Sequence, residues 1–486
     1  MSVVELQPKS LWSYFNQLNQ IPRPSKKEDA VRNWVVGLGQ QWGFETQIDE
    51  VGNVLIRKPA SLGMEDRKTV VLQSHLDMVC QKNNDTIFDF DIQGIEMFVD
   101  GDWVRARGTT LGADNGIGVA TILAILDSND IAHPPIEALF TIDEETGMTG
   151  ALGLKGGFLK GEVLLNLDTE DDDELSIGCA GGVDVTSSGT YQEEALHDDV
   201  IQFQITLNGG SGGHSGMDIH KGICNANKMM NRLLLELLSD IDFRIISIQG
   251  GGLRNAIPRE SQAVIALHAE DETALKTALA NHFRSISEEY KSTDPELRAS
   301  CEKIESVSEH AMPEDDQLAI LMAIQTCPVG IHRMSPDIPN LVQTSNNLAR
   351  VEISQGKISL QCLCRSSVDS EKIDHANSIA SAFGLAGLET EYSGSYPGWT
   401  PNPKSPIVAM LRDLYTEKYR EEPRVLACHA GLECGILGTN YPDMDMVSFG
   451  PNIRGAHSPD ECVQISSVQK FWGFFLDALE RIPQKA

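Results

Sequence analysis

No stretch of this chain approaches the roughly 18 uninterrupted apolar residues that a membrane-crossing helix needs, so nothing in it is expected to span a bilayer. Residues 1–15 lack a basic stretch followed by an apolar run, and no secretory signal is expected there. The ten cysteines include no C-x-x-C pair, which argues against a zinc ribbon or a redox motif. Cys362 and Cys364, two apart on an expected strand, share a face and read as packing. With no signal, these thiols are expected to be reduced, in a cytoplasmic protein. Basic side chains are also few: 39 against 70 acidic ones, a formal charge of −31. Such a surface repels nucleic acid and anionic lipid and makes both poor partners. Most of the acidity reads as solvated surface, with a smaller part able to gather around cations.

What is present is ordinary for a folded protein. An apolar share of 41% with 22% charged residues excludes wholesale disorder, and 486 residues exceed one ordinary core, so two domains are expected. In the first third, helical and strand patterns alternate. Residues 28–42 carry Val31, Trp34, Val35 and Leu38 on one helical face. Residues 53–57, 69–73, 137–141 and 164–168 read as strands, and 117–126 as a buried helix. This alternation predicts an α/β fold with a mostly parallel mixed sheet covered by helices. Ligands of such sheets gather at the carboxyl ends of strands, where His75, Glu144 and Asp168 fall.

After Gly181-Gly182 the texture changes. Strands over 201–207, 243–248 and 263–269 interleave with helices over 226–238 and 272–290. A second round runs through 316–324, 349–353, 358–364 and 370–383. This grammar predicts an inserted α+β domain of two βαββα-like lobes. Pro397 to Pro406 reads as a hinge back to the first domain, followed by a helix over 407–419, a strand over 446–449 and a helix over 467–482. The expected division is 1–183, 184–396 and 397–486, the outer parts forming the catalytic domain and the middle a lid or dimerisation-type domain.

Five short stretches concentrate metal-ligating side chains in turns: 74–77, 112–116, 143–145, 166–168 and 455–461. Each alone reads as a surface turn. Together they supply one carboxylate to bridge two ions, a His and a carboxylate for each ion, and one further acid. That is the count a pair of zinc ions about 3.5–4 Å apart requires.

These stretches resemble the co-catalytic di-zinc peptidases that include aminoacylases, succinyl-diaminopimelate desuccinylase and carnosinases. The resemblance spans essentially the whole chain, through residues 70–79, 107–116, 212–216, 253–258, 429–435 and 455–460. The run 430–435 and the long middle domain point to the dipeptidase branch. What the resemblance implies is a pair of Zn2+ ions, replaceable by Co2+ or Mn2+, bridged by Asp114. His75 and Asp168 would complete one shell, and Glu145 with His457 the other. Asp77 would orient His75, and Glu144 would be the general base. His214 would donate to the oxyanion, and Asn255 and Arg365 would hold the free carboxylate of a small peptide. His429 and Glu433 would lie near the site, with a structural turn as the competing reading. The expected reaction is hydrolysis of small dipeptides, Xaa-His and carnosine-like ones among them. The alternatives are an N-acyl amino acid deacylase or a tripeptidase, and, in another class, a metal-binding scaffold without catalysis. Closure of the middle domain is expected to complete the site. Shorter relatives bring the oxyanion histidine across a dimer interface; a lid of two lobes allows His214 to act within its own chain and leaves a homodimer open.

Overall fold

The computed structural model describes residues 2–83, 85–305 and 308–485. The chain divides into two compact units, one of Met1–Gly178, Trp399–Ala427 and Leu432–Ala486, the other of Cys179–Gly398 and Cys428–Gly431. Among the described residues no helix is long and apolar enough to cross a membrane.

The first unit is organised by a mixed sheet whose strand order is Glu45–Ile48, Val54–Lys58, Ile136–Thr141, Val70–His75, Val163–Asn166, Asp445–Ser448, Glu174–Cys179 and Arg424–Cys428. The middle four run parallel. Val70–His75 and Ile136–Thr141 are buried at every position, as strands covered on both faces must be. The flanks depart from the parallel grammar for a simple reason. Glu45–Ile48 and Val54–Lys58 are antiparallel because only residues 49–53 join them, far too few for a crossover. That turn is held by Asp49 Oδ1, which accepts the N–H groups of Val51, Gly52 and Asn53. One helix, Ala113–Asp127, is apolar all round and buried from Asn115 to Leu126, the signature of a helix inside the core. The parallel strands therefore deliver Thr141, His75, Asn166 and Ser448 to the same edge of the sheet.

In the second unit the strand order is Arg298–Ile304, Val200–Asn208, Ser261–His268, Arg244–Gly251, Val342–Ser354, Lys357–Ser366, Gly181–Thr190 and Glu389–Tyr396, with Gly330–Met334 added beside Val342–Ser354. The two rounds of strands and helices thus share one continuous antiparallel sheet. They meet where Arg244–Gly251 pairs with Val342–Ser354, and the strand order reads the same outward from that seam in both directions. The second lobe begins before the first: its strand Gly181–Thr190 precedes Val200–Asn208 in sequence and pairs with Lys357–Ser366. Helices Ala226–Leu238, Glu272–Tyr290, Glu314–Thr326 and Asp369–Gly384 contribute Leu233, Leu279, Leu321 and Phe383 to a core shared with strand residues such as Phe203, Ile265 and Leu360.

That core holds one group at odds with acid. His375, 1% exposed on Asp369–Gly384, lies against His332 with ring centroids 4.1 Å apart and the rings tilted by 31°, and neither of its ring nitrogens has a hydrogen-bond partner among the described residues. Burial, then the neighbouring His332, pushes the imidazole down to about 4. A base with a depressed folded pKa is stabilising in its neutral form. That contribution is complete above the unfolded value near 6.5 and disappears as pH falls toward 4, a loss of up to about 3 kcal/mol. His375→Leu should therefore lessen the decline of chemical-denaturation stability between pH 6.5 and 4; an unchanged slope would exclude His375 as its source.

Candidate active site

Asp114 is the meeting point of the first unit's polar residues. It sits in the first turn of Ala113–Asp127, just after Gly112, whose φ of +69° starts the turn in the left-handed region. Its Oδ1 lies 3.2 Å from His75 Nε2 and its Oδ2 3.2 Å from His457 Nε2. A second carboxylate accompanies each imidazole: Asp168 Oδ1 stands 3.5 Å from His75 Nε2, and Glu145 Oε2 3.0 Å from His457 Nε2. The two histidines thus divide the two oxygens of one aspartate between them.

The strand ends explain this convergence. His75 closes its strand, and Asp168 follows Val163–Asn166 by two residues, its loop tied back by Leu167 N–H donating to Gln73 O. Beyond Ile136–Thr141 the chain turns at Asp143, φ +52°, a left-handed position that aspartate tolerates better than most residues. The following residues are Glu144 and Glu145. Asp77, fully buried, holds this turn against His75. Its Oδ1 lies 3.3 Å from His75 Nδ1 and accepts Glu144 N–H at 3.0 Å, while Oδ2 accepts Glu145 N–H at 3.2 Å and the Ser25 hydroxyl at 2.7 Å. Burial opposes charge on Asp77, but His75 and these donors prevail and draw the carboxyl down to about 2.

The electrostatics are those of a place for cations. Burial disfavours a charged His75, yet Asp168, Asp114 and Asp77 raise it well above its ordinary range. Asp114 and Glu145 lift His457 to about 11. Asp168 is pushed up to about 7, by burial first and then by Asp114 and Glu145. One ligand atom each from His75, Asp114 and Glu145 lies within 4.8 Å of the others, and Glu145 Oε1 is buried with no hydrogen-bond partner among the described residues. A second acidic trio, Glu28, Asp77 and Asp143, is as compact, but protein donors occupy it. Glu28 Oε1 accepts the N–H groups of Lys26 and Asp143, and the Asp143 carboxylate accepts the hydroxyls of Thr146 and Thr149. The donor set around Asp114, two imidazoles and three carboxylates with an orphaned oxygen, fits metal ions; the trio does not need one.

Glu144 stands apart from the pairs around Asp114. Its carboxyl is raised well above the usual range by burial and by Asp168, Glu145 and Glu433, against the attraction of His75. Glu433 begins the helix Glu433–Asn440 and is buried. Its Oε2 accepts Gln73 Nε2 at 2.6 Å and the Thr141 hydroxyl at 2.7 Å, and burial pushes it up to about 7. Gln73 also accepts from Asn166 Nδ2, so a buried polar chain crosses the carboxyl ends of three parallel strands. Gln73 and Thr141 escaped the sequence reading because glutamine and threonine on a strand carry no metal signal.

The other four residues belong to the second unit. His214 pairs with Ala256 in a short ladder, and Ser215 N–H donates to Asn255 O at 2.8 Å, bringing His214 and Asn255 together. His214 Nδ1 accepts the N–H groups of Gly216 and Met217, so its proton resides on Nε2. Arg365 is buried, donates Nη1 to Tyr396 Oη at 2.9 Å, and lies opposite Ser345. The Ser345 hydroxyl meets His429 Nε2 at 2.7 Å. Burial, Arg365 and His214 push His429 down to about 3, so it is a neutral imidazole. A Cβ on Gly216 would come within 2.1 Å of His429 O, which places the His214 turn directly on the His429 segment.

A parallel sheet that brings two imidazoles onto one carboxylate, each with a second carboxylate beside it and with a half-buried glutamate, Glu144, next in sequence to one of them, defines a metallopeptidase-type hydrolytic centre. Residues 71–481 match the profile of peptidase family M20/M25/M40, and the chain belongs to that family. It is 42% identical over 482 residues to the cytosol non-specific dipeptidase of Escherichia coli (strain K12), covering 99% of both chains. Its structure is similar to that of aminoacylhistidine dipeptidase from Vibrio alginolyticus, with a TM-score of 0.92 and 44% identity, covering 100% of this chain and 99% of the other. A tripeptidase from Staphylococcus aureus shares the fold at 14% identity and a TM-score of 0.57, over 98% and 99% of the two chains.

Proposed function

We infer that this chain is a metal-dependent dipeptidase that hydrolyses small dipeptides, Xaa-His among them, with two zinc ions held around Asp114. The observation that carries the reading is the division of the two Asp114 oxygens between His75 and His457. The full-length likeness to two dipeptidases supports the substrate class and does not favour a deacylase or a tripeptidase. We read His75 and Asp168 as ligands of one ion, Glu145 and His457 as ligands of the other, and residues 1–183 and 397–486 as the catalytic domain enclosing an inserted 184–396. A cytoplasmic location accords with the name of the E. coli relative.

When bound, such ions acidify water and polarise the scissile carbonyl. Glu144 takes the proton of the attacking water and delivers it to the departing amine nitrogen. Asp77 keeps Nδ1 of His75 protonated so that Nε2 faces Asp114. We read His214, whose Nε2–H can donate to an anionic oxygen, and Asn255 and Arg365 as the substrate-binding residues of the second unit, the planar guanidinium being suited to a carboxylate. We assign no proton-transfer role to His429, which meets Ser345 in the second unit, or to Glu433, which accepts from Gln73 and Thr141 in the first.

The test is metal analysis together with assays on Xaa-His dipeptides, carnosine, N-acetyl amino acids and tripeptides, with and without a chelator. Two ions per chain, loss of turnover on chelation and its return with Zn2+, and a preference for dipeptides are expected. Turnover by the metal-free protein would refute the metal reading, and a preference for N-acetyl amino acids would refute the substrate class.

A further inference from the structure

Glu461 ends the acid- and imidazole-rich stretch 455–461, yet the reaction leaves it without a task. Its side chain is buried, and both oxygens are committed. Oε2 accepts the backbone N–H groups of Leu111 at 2.7 Å and Gly112 at 2.9 Å, and Oε1 those of Ala113 at 2.7 Å and Asp114 at 3.2 Å. Four consecutive donors can face one carboxylate because Gly112 turns the chain through the left-handed region, forming a nest ahead of a helix whose first N–H groups have no internal partner.

The same loop is gripped from its carbonyl side by Arg23, also buried. Arg23 Nη2 donates to Gly112 O at 2.6 Å, and Nη1 to Leu76 O at 3.0 Å and Asp77 O at 2.9 Å. A Cβ on Gly112 would stand 2.5 Å from that guanidinium. Three loops are therefore tied together: the one following His75, the one carrying Asp114, and the one carrying His457.

We propose that Glu461 and Arg23 are positioning residues that set the spacing of the metal-ligating loops, Glu461 fixing Asp114 against His457 and Arg23 fixing it against His75. The geometry favours this over a role in helix capping alone. A cap needs one acceptor from a neighbouring residue, whereas Glu461 spends both oxygens on residues about 350 positions away in sequence, including Asp114 itself. His457 adds to the case: it is held at φ +63° with its side chain 55% exposed, so its own packing does little to place it. The proposal rests on the metallopeptidase reading, and its test separates the two.

The experiment is a Co2+ titration of the metal-free protein, followed by visible absorption, on wild type, Glu461→Gln, Glu461→Ala and Arg23→Lys. Circular dichroism establishes the temperature at which each variant is folded, and kcat and KM are measured there on a dipeptide. Glutamine keeps the volume but turns an amide NH2 against two of the four N–H donors. Lysine keeps the charge but cannot reach all of the carbonyls. Both should weaken one of two Co2+ sites by about 10–100-fold and lower kcat by a similar factor, with KM within about threefold. Variants that melt earlier but bind both ions and turn over as wild type would reduce the clamp to a stability feature and overturn the proposal. If the alanine variant does not fold, Glu461→Gln and Arg23→Lys decide by the same criteria. Wild type taking up fewer than two ions would sink the two-ion reading instead, and the clamp would then be judged on the affinity for the ion that is held.

Discussion

Glu144→Gln should cost two to four orders of magnitude in kcat, roughly what general acid–base catalysis contributes, while metal content and KM stay close to wild type. The substitution is nearly isosteric, and the turn around it depends on groups that glutamine keeps: Glu144 N–H still donates to Asp77 Oδ1, and Glu145 N–H to Oδ2. Only the capacity to take a proton is lost. That capacity suits the position. Burial, with Asp168, Glu145 and Glu433 nearby, raises the carboxyl's affinity for a proton, and a base whose pKa approaches the working pH both accepts and returns protons efficiently. A variant within tenfold of wild-type kcat would remove Glu144 from the reaction. One that lost metal together with activity would instead recast it as a ligand.

Asp114→Asn should remove more than catalysis. His75 and His457 meet through the two oxygens of this one side chain, and an amide presents a single acceptor with an N–H donor where the other oxygen stood. We expect metal content to fall from two ions to at most one, and kcat to fall by about 10³-fold or more, since metal-assisted charge stabilisation is worth several kcal/mol. Folding should survive, because Glu461 grips the Leu111–Asp114 backbone and not the Asp114 carboxylate. Metal analysis beside a thermal melt checks all three expectations. Retention of both ions and of turnover would show that Asp114 does not join them.

The two substitutions also separate what local sequence can mark from what it cannot. His75, Asp114, Glu144, Glu145, Asp168 and His457 stand in short stretches whose side chains an apolar core would reject, so their chemistry is visible without a structure. Helices 226–238 and 272–290 are visible for a similar reason: apolar spacing on one face is a local property, and the observed elements span Ala226–Leu238 and Glu272–Tyr290. Other elements gave little signal. Gly181–Thr190 is rich in Gly, Ser and Thr and half of it faces away from the core, with Val183 and Val185 buried and Ser188 exposed. It becomes a strand because Lys357–Ser366, about 170 residues later, pairs with it over ten positions. Glu389–Tyr396 is a strand only as the next neighbour of Gly181–Thr190.

Arg23 shows the same limit from the other side. Between two prolines a lone arginine reads as surface, and its burial makes sense only once Leu76, Asp77 and Gly112 present their carbonyls to it. Residue type, periodicity and turn chemistry are short-range properties of the chain, so the α/β class, the inserted second domain and the metal-seeking character of the turns could be read directly. Which oxygen of Asp114 each histidine faces, and what holds three loops at that spacing, depends on hydrogen bonds closed between residues tens to hundreds of positions apart. No local pattern encodes those contacts, and folding alone decides them.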